Sequence, residues 1–398
     1  MVLGVPALGW SGATLFELAE RSTSIAYGRV TSVDTYKDGT FQVFTVEPER
    51  VLSGDLGAGE PFELVQERLF ETSKPYFAKG VRTLIFAKPL PRYTLYQEVL
   101  PEGSYLQWAE RLDTAAEVAS LRDPALIEPV ATYLARREDP EALARHLGAL
   151  TASPAPRLRQ GALGMLEKRP DLVPILDAEA LAPVRAFLLD ARAPLPDRAD
   201  TLVRLARMRA AAMIPIAEET AARGGPLLAP AVDALVSLDR LPDEERLLGY
   251  SRSKDEALRL AAVRGLVKNG SAAAFARVEE IIASDTPPVR HEALRRLGFI
   301  KGPSIVEILT KALMGEDEDA AVVAAEGLGR EGGDPALSAL ERALLERPNK
   351  VKAAAAFALK QSGMQRGVDF LRSQSRGNPD HEIQRLCKLA LGESMHEH

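Results

Sequence analysis

The sequence predicts a multidomain chain of mixed α and β class, a small antiparallel β-barrel followed by a right-handed α-α superhelix of helical hairpins. Three observations predict it. Leucine recurs at Leu235, Leu266, Leu297, Leu328, Leu359 and Leu391, spaced by 31 residues and finally by 32. A second apolar ladder, Val278, Leu309, Leu340 and Leu371, runs between these rungs at the same period. Before about residue 110 this period disappears, and alternating β-branched runs separated by glycine turns take its place.

In chain order, residues 1–10 are apolar and uncharged and lead into small residues. They read equally as a signal-peptide remnant, which implies a periplasmic or exported protein, and as an N-terminal strap of a cytoplasmic one. Thr14-Leu15-Phe16-Glu17 is a capping box that opens a short helix. Strands are then expected at 24–33, 39–51, 61–69, 81–89 and 93–100, with turns at Asp38-Gly39, Ser53-Gly54-Asp55 and Lys79-Gly80. So few strands avoid exposed edges most simply by closing into a barrel, which sets a domain at 11–110.

The helical part spans 112–392, with a solvated tail at 393–398. Each rung has partners four and eight places earlier: Ala231 and Leu227, Ala262 and Leu258, Ala293 and Val289, Ala324 and Ala320, Ala355 and Val351, Cys387 and Ile383. That spacing lays one narrow apolar stripe along a helix, and the small residue in its middle lets a neighbouring helix come close. Gly270, Gly302, Gly333 and Gly363 are expected to end these helices. Asp334-Pro335 and Asn378-Pro379 are expected to start others. Upstream, Leu126, Val130 and Leu134, then Leu158, Ala162 and Leu166, keep the pattern. The 39 residues from Leu166 to Leu205, rich in proline, form a longer and irregular repeat.

Two resemblances follow from these residues. Val289-Arg290-His291-Glu292-Ala293-Leu294-Arg295-Arg296-Leu297-Gly298 resembles the first helix of a HEAT repeat, of the short bacterial kind also seen in phycobilin lyase subunits. The resemblance covers roughly 112–392 and implies an armadillo-like solenoid of about eight or nine repeats. Ile25-Ala26-Tyr27-Gly28-Arg29-Val30, Val46-Glu47-Pro48-Glu49-Arg50-Val51-Leu52-Ser53-Gly54 and Tyr76 to Ala87 resemble the barrel of netrin-module and tissue-inhibitor-like domains of bacterial exported proteins, which implies an OB-like barrel. Protease inhibition in the animal members depends on cysteines, and this domain has none.

Composition narrows the function. A formal charge of −6, with ten Lys and Arg against fourteen Asp and Glu in residues 1–110, disfavours nucleic acid, which requires a basic stripe. No apolar run approaches the length of a membrane span. The single cysteine, Cys387, stands on a small-residue rung and is expected to be buried packing. No nucleophile, phosphate-loop, paired-cysteine or H-E-x-x-H motif is present, so no catalytic residue, metal ligand or cofactor is assigned, and no enzyme is expected.

His291-Glu292 and His381-Glu382 are the metal-site candidates, because HEAT-like deoxyhypusine hydroxylases bind iron through His-Glu pairs. They lie three repeats apart at different phases of their helices, and His396-Glu397 lies in the tail.

What a solenoid offers is surface, and the expected partner is another protein. The second helices carry Glu280, Lys311, Glu341, Arg342 and Arg372 just after their apolar ladder, a mixed-charge row suited to a polar protein partner. Tyr76, Tyr93 and Tyr96 could give the barrel an aromatic binding face. The sequence thus predicts a scaffold or adaptor. A lyase-like HEAT enzyme and an OB-type ligand-binding module are the alternatives.

Overall fold

In the computed structural model the chain divides into two units, residues 1–220 and 221–398. The residues described are 14–36, 41–54, 56, 60–67, 77–89, 106–109 and 121–393. Residues 1–10, the strand expected at 93–100 and the tail at 394–398 lie outside them.

The first unit opens with helix α1 (Leu15–Arg21), whose start is the capping box read from sequence: the Thr14 hydroxyl accepts from the Glu17 amide and the Glu17 carboxylate accepts from the Thr14 amide. Strands β1 (Ser24–Tyr36), β2 (Phe41–Ser53), β3 (Phe62–Glu67), β4 (Arg82–Pro89) and β5 (Leu106–Ala109) follow. They are hydrogen-bonded in the order β1-β2-β3-β5-β4, and β4 pairs back onto β1 to close the ring. Every pair is antiparallel except β3 with β5, which is parallel. Alternate residues fill the interior: Ala26 and Val30, Phe44 and Val46, Phe62 and Leu64, Ile85 and Ala87. Phe77 packs edge-on to Phe44 at 5.1 Å.

Ile25, Leu84 and Phe86 point out of the barrel and are still buried. Helical residues cover that side, and the Leu84 amide donates to the carbonyl of Leu121 at 2.9 Å. The helices of this unit are α2 (Ile127–Arg136), α3 (Pro140–Leu150), α4 (Pro156–Lys168), α5 (Ala182–Leu189), α6 (Leu195–Arg207) and α7 (Met213–Arg223), with a 3₁₀ turn at Pro170–Ile175. Helix α1 lies against α4 because Gly161 is bare: a β-carbon there would meet the Phe16 ring at 3.1 Å. Phe16 stacks on Tyr133, ring centres 4.6 Å apart. The long, proline-rich interval of the sequence is the 3₁₀ turn, α5 and the loop to α6.

The second unit is the regular ladder. First helices α8 (Leu228–Ser237), α10 (Glu256–Asn269), α12 (Pro287–Leu297), α14 (Glu318–Glu331), α16 (Asn349–Gln361) and α18 (His381–Leu391) alternate with second helices α9 (Glu244–Tyr250), α11 (Ala272–Ser284), α13 (Pro303–Leu313), α15 (Asp334–Glu346) and α17 (Gln365–Gly377). Successive first helices stack on one another. Ala231, Ala262, Ala293, Ala324, Ala355 and Cys387 are fully buried between them, as the stripe requires. The backbones come close at Gly298, where a β-carbon would lie 2.7 Å from the α-carbon of Gly327.

Helix ends differ in detail from the sequence expectation. Gly270 ends α10 in the left-handed conformation, but Gly332, not Gly333, does so for α14. Gly302 and Gly333 instead precede α13 and α15. Asp334 begins α15 without capping it, and Asn378 closes α17; the cap of α18 is Asp380, whose carboxylate accepts from the Glu382 amide. The shifts at Gly333 and Asn378 are one or two residues, as is common at helix ends, whereas α12 already stops at Leu297 with Gly298 closing it.

A basic residue seven places before the rung ties consecutive first helices together. Arg259 pairs with Asp285 at 3.1 Å, Arg290 with Asp317 at 3.3 Å and Lys352 with Asp380 at 3.3 Å, each reaching the start of the next first helix. In the first unit Arg159, seven before Leu166, reaches Asp197 at 2.6 Å in the same way.

Candidate functional site

The mixed-charge row resolves into paired residues and one exception. Glu280 accepts from Arg277 at 2.7 Å. Glu341 is held from the next repeat by Arg366, through Nε at 3.1 Å and Nη2 at 2.9 Å. Arg342 donates to Glu346 at 2.7 Å, one turn on, and Arg372 lies 3.5 Å from Asp369. Lys311 is exposed and has no ion pair among the described residues. Tyr76, Tyr93 and Tyr96 lie outside the described residues.

Lys311 stands at a cleft of about 340 Å³ between α11 and α13. Second helices pack on one another at α9/α11, α13/α15 and α15/α17, but α11 and α13 approach less closely. The gap is floored by Ile282, Ile308 and Ala312, with the exposed Ala283 at its edge, and its charged rim is Glu279, Arg290, Lys311, Glu316 and Asp317. Asp317 caps α14, accepting from the Ala320 amide at 3.0 Å. That hydrogen bond first, and then the charge of Arg290, hold its carboxyl below the usual range against the opposing effect of burial. Arg290 and Asp317 neutralise each other, whereas Glu279 and Glu316 are exposed and without an ion pair among the described residues. The arrangement can take an apolar side chain and present charge around it.

His291-Glu292 is used differently from a metal pair. Glu292, 5% exposed, accepts from Arg264 at 2.7 Å, Arg295 at 2.6 Å and Arg296 at 2.8 Å. Arg264 also reaches Asp233 at 2.6 Å, so one buried network crosses α8, α10 and α12. Burial pushes the Glu292 carboxyl up, yet the hydrogen bonds and charges of Arg264 and Arg296 outweigh it and bring it down to about 2. His291 Nε2 lies 3.7 Å from Asp317. His381 is the exposed first residue of α18, with α14 and α16 intervening. Among the described residues no group of three His, Cys, Asp or Glu is placed to hold a metal ion. Nor is any helix among them long and apolar enough to cross a membrane.

The first unit has its own cleft, of about 950 Å³, where the irregular repeat interrupts the stack. Pro154, Pro156, Pro183, Pro194 and Phe187 line it. The buried Arg159 at its edge is already committed to Asp197 and to the Ser153 carbonyl, the latter at 2.7 Å.

A family match agrees with the helical repeats of the second unit. The HEAT repeats family matches residues 276–360, the stretch that holds the cleft. No curated protein matches the chain. Among solved structures, human deoxyhypusine hydroxylase in complex with glycerol is similar at 19% identity over 66% of this chain and 99% of that one, with a TM-score of 0.28. An engineered protein is similar at 19% identity over 70% of this chain and 85% of that one, with a TM-score of 0.34.

Sequence reasoning located Lys311 and missed the floor of its cleft. Ile282, Ile308 and Ala312 read there as ordinary helix residues, because only the spacing of α11 from α13 turns them into a surface. The Asp233, Arg264, Glu292 network left a better signal. Asp233, Arg264 and Arg295 recur at 31 residues, two before each rung, on a stripe that ought to face neighbouring helices.

Proposed function

We propose that this chain is a non-enzymatic interaction scaffold that engages another protein through the second helices of its HEAT-type solenoid. The observation that carries the proposal is the α11/α13 cleft: apolar floor, charged rim and an uncommitted Lys311 occur together on the face that a solenoid leaves free. On α15 and α17 Arg366 is held by Glu341 and Asp334, so those charges are taken up within the chain. A volume of about 340 Å³ lies at the small end of ligand-sized sites, enough for an anchoring side chain rather than an extended cofactor.

The barrel is proposed to be of OB type. Its 1-2-3-5-4 strand order with a parallel β3/β5 pair supports that reading, and it serves the scaffold as an accessory domain.

Photo-crosslinking in the cell of origin tests the scaffold. A photoreactive residue replacing Ala283, at the cleft, is expected to trap a discrete protein adduct, and one replacing Glu326, on first helix α14, is not. Equal labelling from both positions, or none from Ala283, contradicts the proposal.

A further inference from the structure

The cleft between α11 and α13 has a definite electrostatic sense, and that sense specifies the occupant. Its walls are the last turns of two helices, α11 ending at Ser284 and α13 ending at Leu313. Helix C-termini carry the negative end of the peptide dipole and favour cations. Glu279 and Glu316 add two carboxylates to the same rim with no ion pair among the described residues, and Glu307 stands one turn before Lys311 on α13. The positive end of α14 also reaches the cleft, but the Asp317 carboxylate caps it and is paired with Arg290. Lys311 is the one lining cation without an ion pair among the described residues, and Arg347 already donates to the Gly315 carbonyl just past the end of α13, which leaves the end of α11 open to a further cation. The floor of Ile282, Ile308 and Ala312, with Ala283 at its edge, offers no polar side chain.

We propose that the α11/α13 cleft binds a peptide segment of a partner protein in which an apolar anchor is flanked by lysine or arginine. The anchor packs between Ile282 and Ile308, removing apolar surface of both molecules from water. The flanking cation sits at the C-terminal end of α11, where Glu279 and Glu316 hold it. Lys311 disfavours a second cation on its own side, so the segment is read in one direction. This inference rests on the scaffold function proposed above, and adds the chemistry of the partner to it.

The test is selection of random peptides on the full chain. Selected peptides are then titrated against the wild-type chain, Ala283→Trp, which fills the cleft from an exposed position, and the double variant Glu279→Lys/Glu316→Lys, which reverses the rim. Peptides with an apolar residue flanked by Lys or Arg are expected to be enriched. Their binding is expected to be abolished by Ala283→Trp, to fall about tenfold in the double variant and to weaken as salt is raised. Peptides that lose binding in Ala283→Trp but lack basic flanks, or bind the double variant equally well, overturn the inference and leave the scaffold function standing. Peptides indifferent to Ala283→Trp, or no enrichment at all, overturn the cleft as the docking site. Circular dichroism of the variants, all changed at exposed positions, verifies that they fold.

Discussion

The regular repeats of residues 256–391 and the irregular repeat of residues 166–205 solve the same packing problem with opposite outcomes. In the regular stretch a small residue at every rung lets first helices touch along their length, and the aperture left among the second helices is small and carries unpaired charge. In the irregular stretch prolines and a 3₁₀ turn break the stack and open a larger cleft, in which Arg159 is paired with Asp197 while the exposed Arg192 has no ion pair among the described residues. What separates the two clefts is their framing: aligned helix ends over an apolar floor in one, prolines and a turn in the other.

The sharpest way to break this comparison is to cut a cavity in each region. Leu328, fully buried on its rung, is expected to cost about 3–4 kcal/mol when changed to alanine, because close-packed helices cannot collapse onto the void. Phe187→Ala, at the open cleft, is expected to cost only about 1 kcal/mol, since the lost volume was already bordered by solvent. Equal losses in denaturant unfolding would remove the distinction.

Acid titration comes next. Glu292 has a folded pKa of about 2 against an ordinary 4.5, so its contribution is complete above pH 4.5 and is lost as pH falls toward 2. At 1.36 kcal/mol per pKa unit this is roughly 3 kcal/mol. Glu292→Gln is expected to flatten the stability profile between about pH 5 and 2 and to lower stability at pH 7, leaving Arg264 half-buried with one carboxylate fewer.

A smaller effect is expected at the Gly298/Gly327 contact. Gly298→Ala forces the backbones of α12 and α14 apart and is expected to cost about 1–3 kcal/mol, measured by the same unfolding assay. Ala283→Trp, at an exposed cleft position, is expected to stay within about 0.5 kcal/mol of wild type.

How much of this was legible beforehand depends on what each feature requires. The 31-residue ladder survives in the sequence because a helix interface tolerates only small residues at Ala262, Ala293 and Ala324, and the capping box at Thr14 survives because its geometry is local. The fifth strand did not survive. Leu106–Ala109 is four residues long and is recruited by parallel pairing with β3, a non-local contact that leaves little pattern in the strand itself. The caps differ because Asp380 rather than Asn378 accepts from the first amides of α18, and α15 starts one residue earlier, after Gly333, with no side-chain cap. The cleft was half legible: Lys311 could be placed on a second helix just after its apolar ladder, but the separation of α11 from α13 is a property of two packed hairpins and belongs to no single residue.

Hydrogen–deuterium exchange of the full chain, with and without a selected peptide, tests the central claim most directly. Protection confined to the ends of α11 and α13 and the start of α14, residues 279–284 and 308–320, is the predicted result. Protection that falls instead on residues 149–159 and 183–197, around the larger cleft, would contradict it.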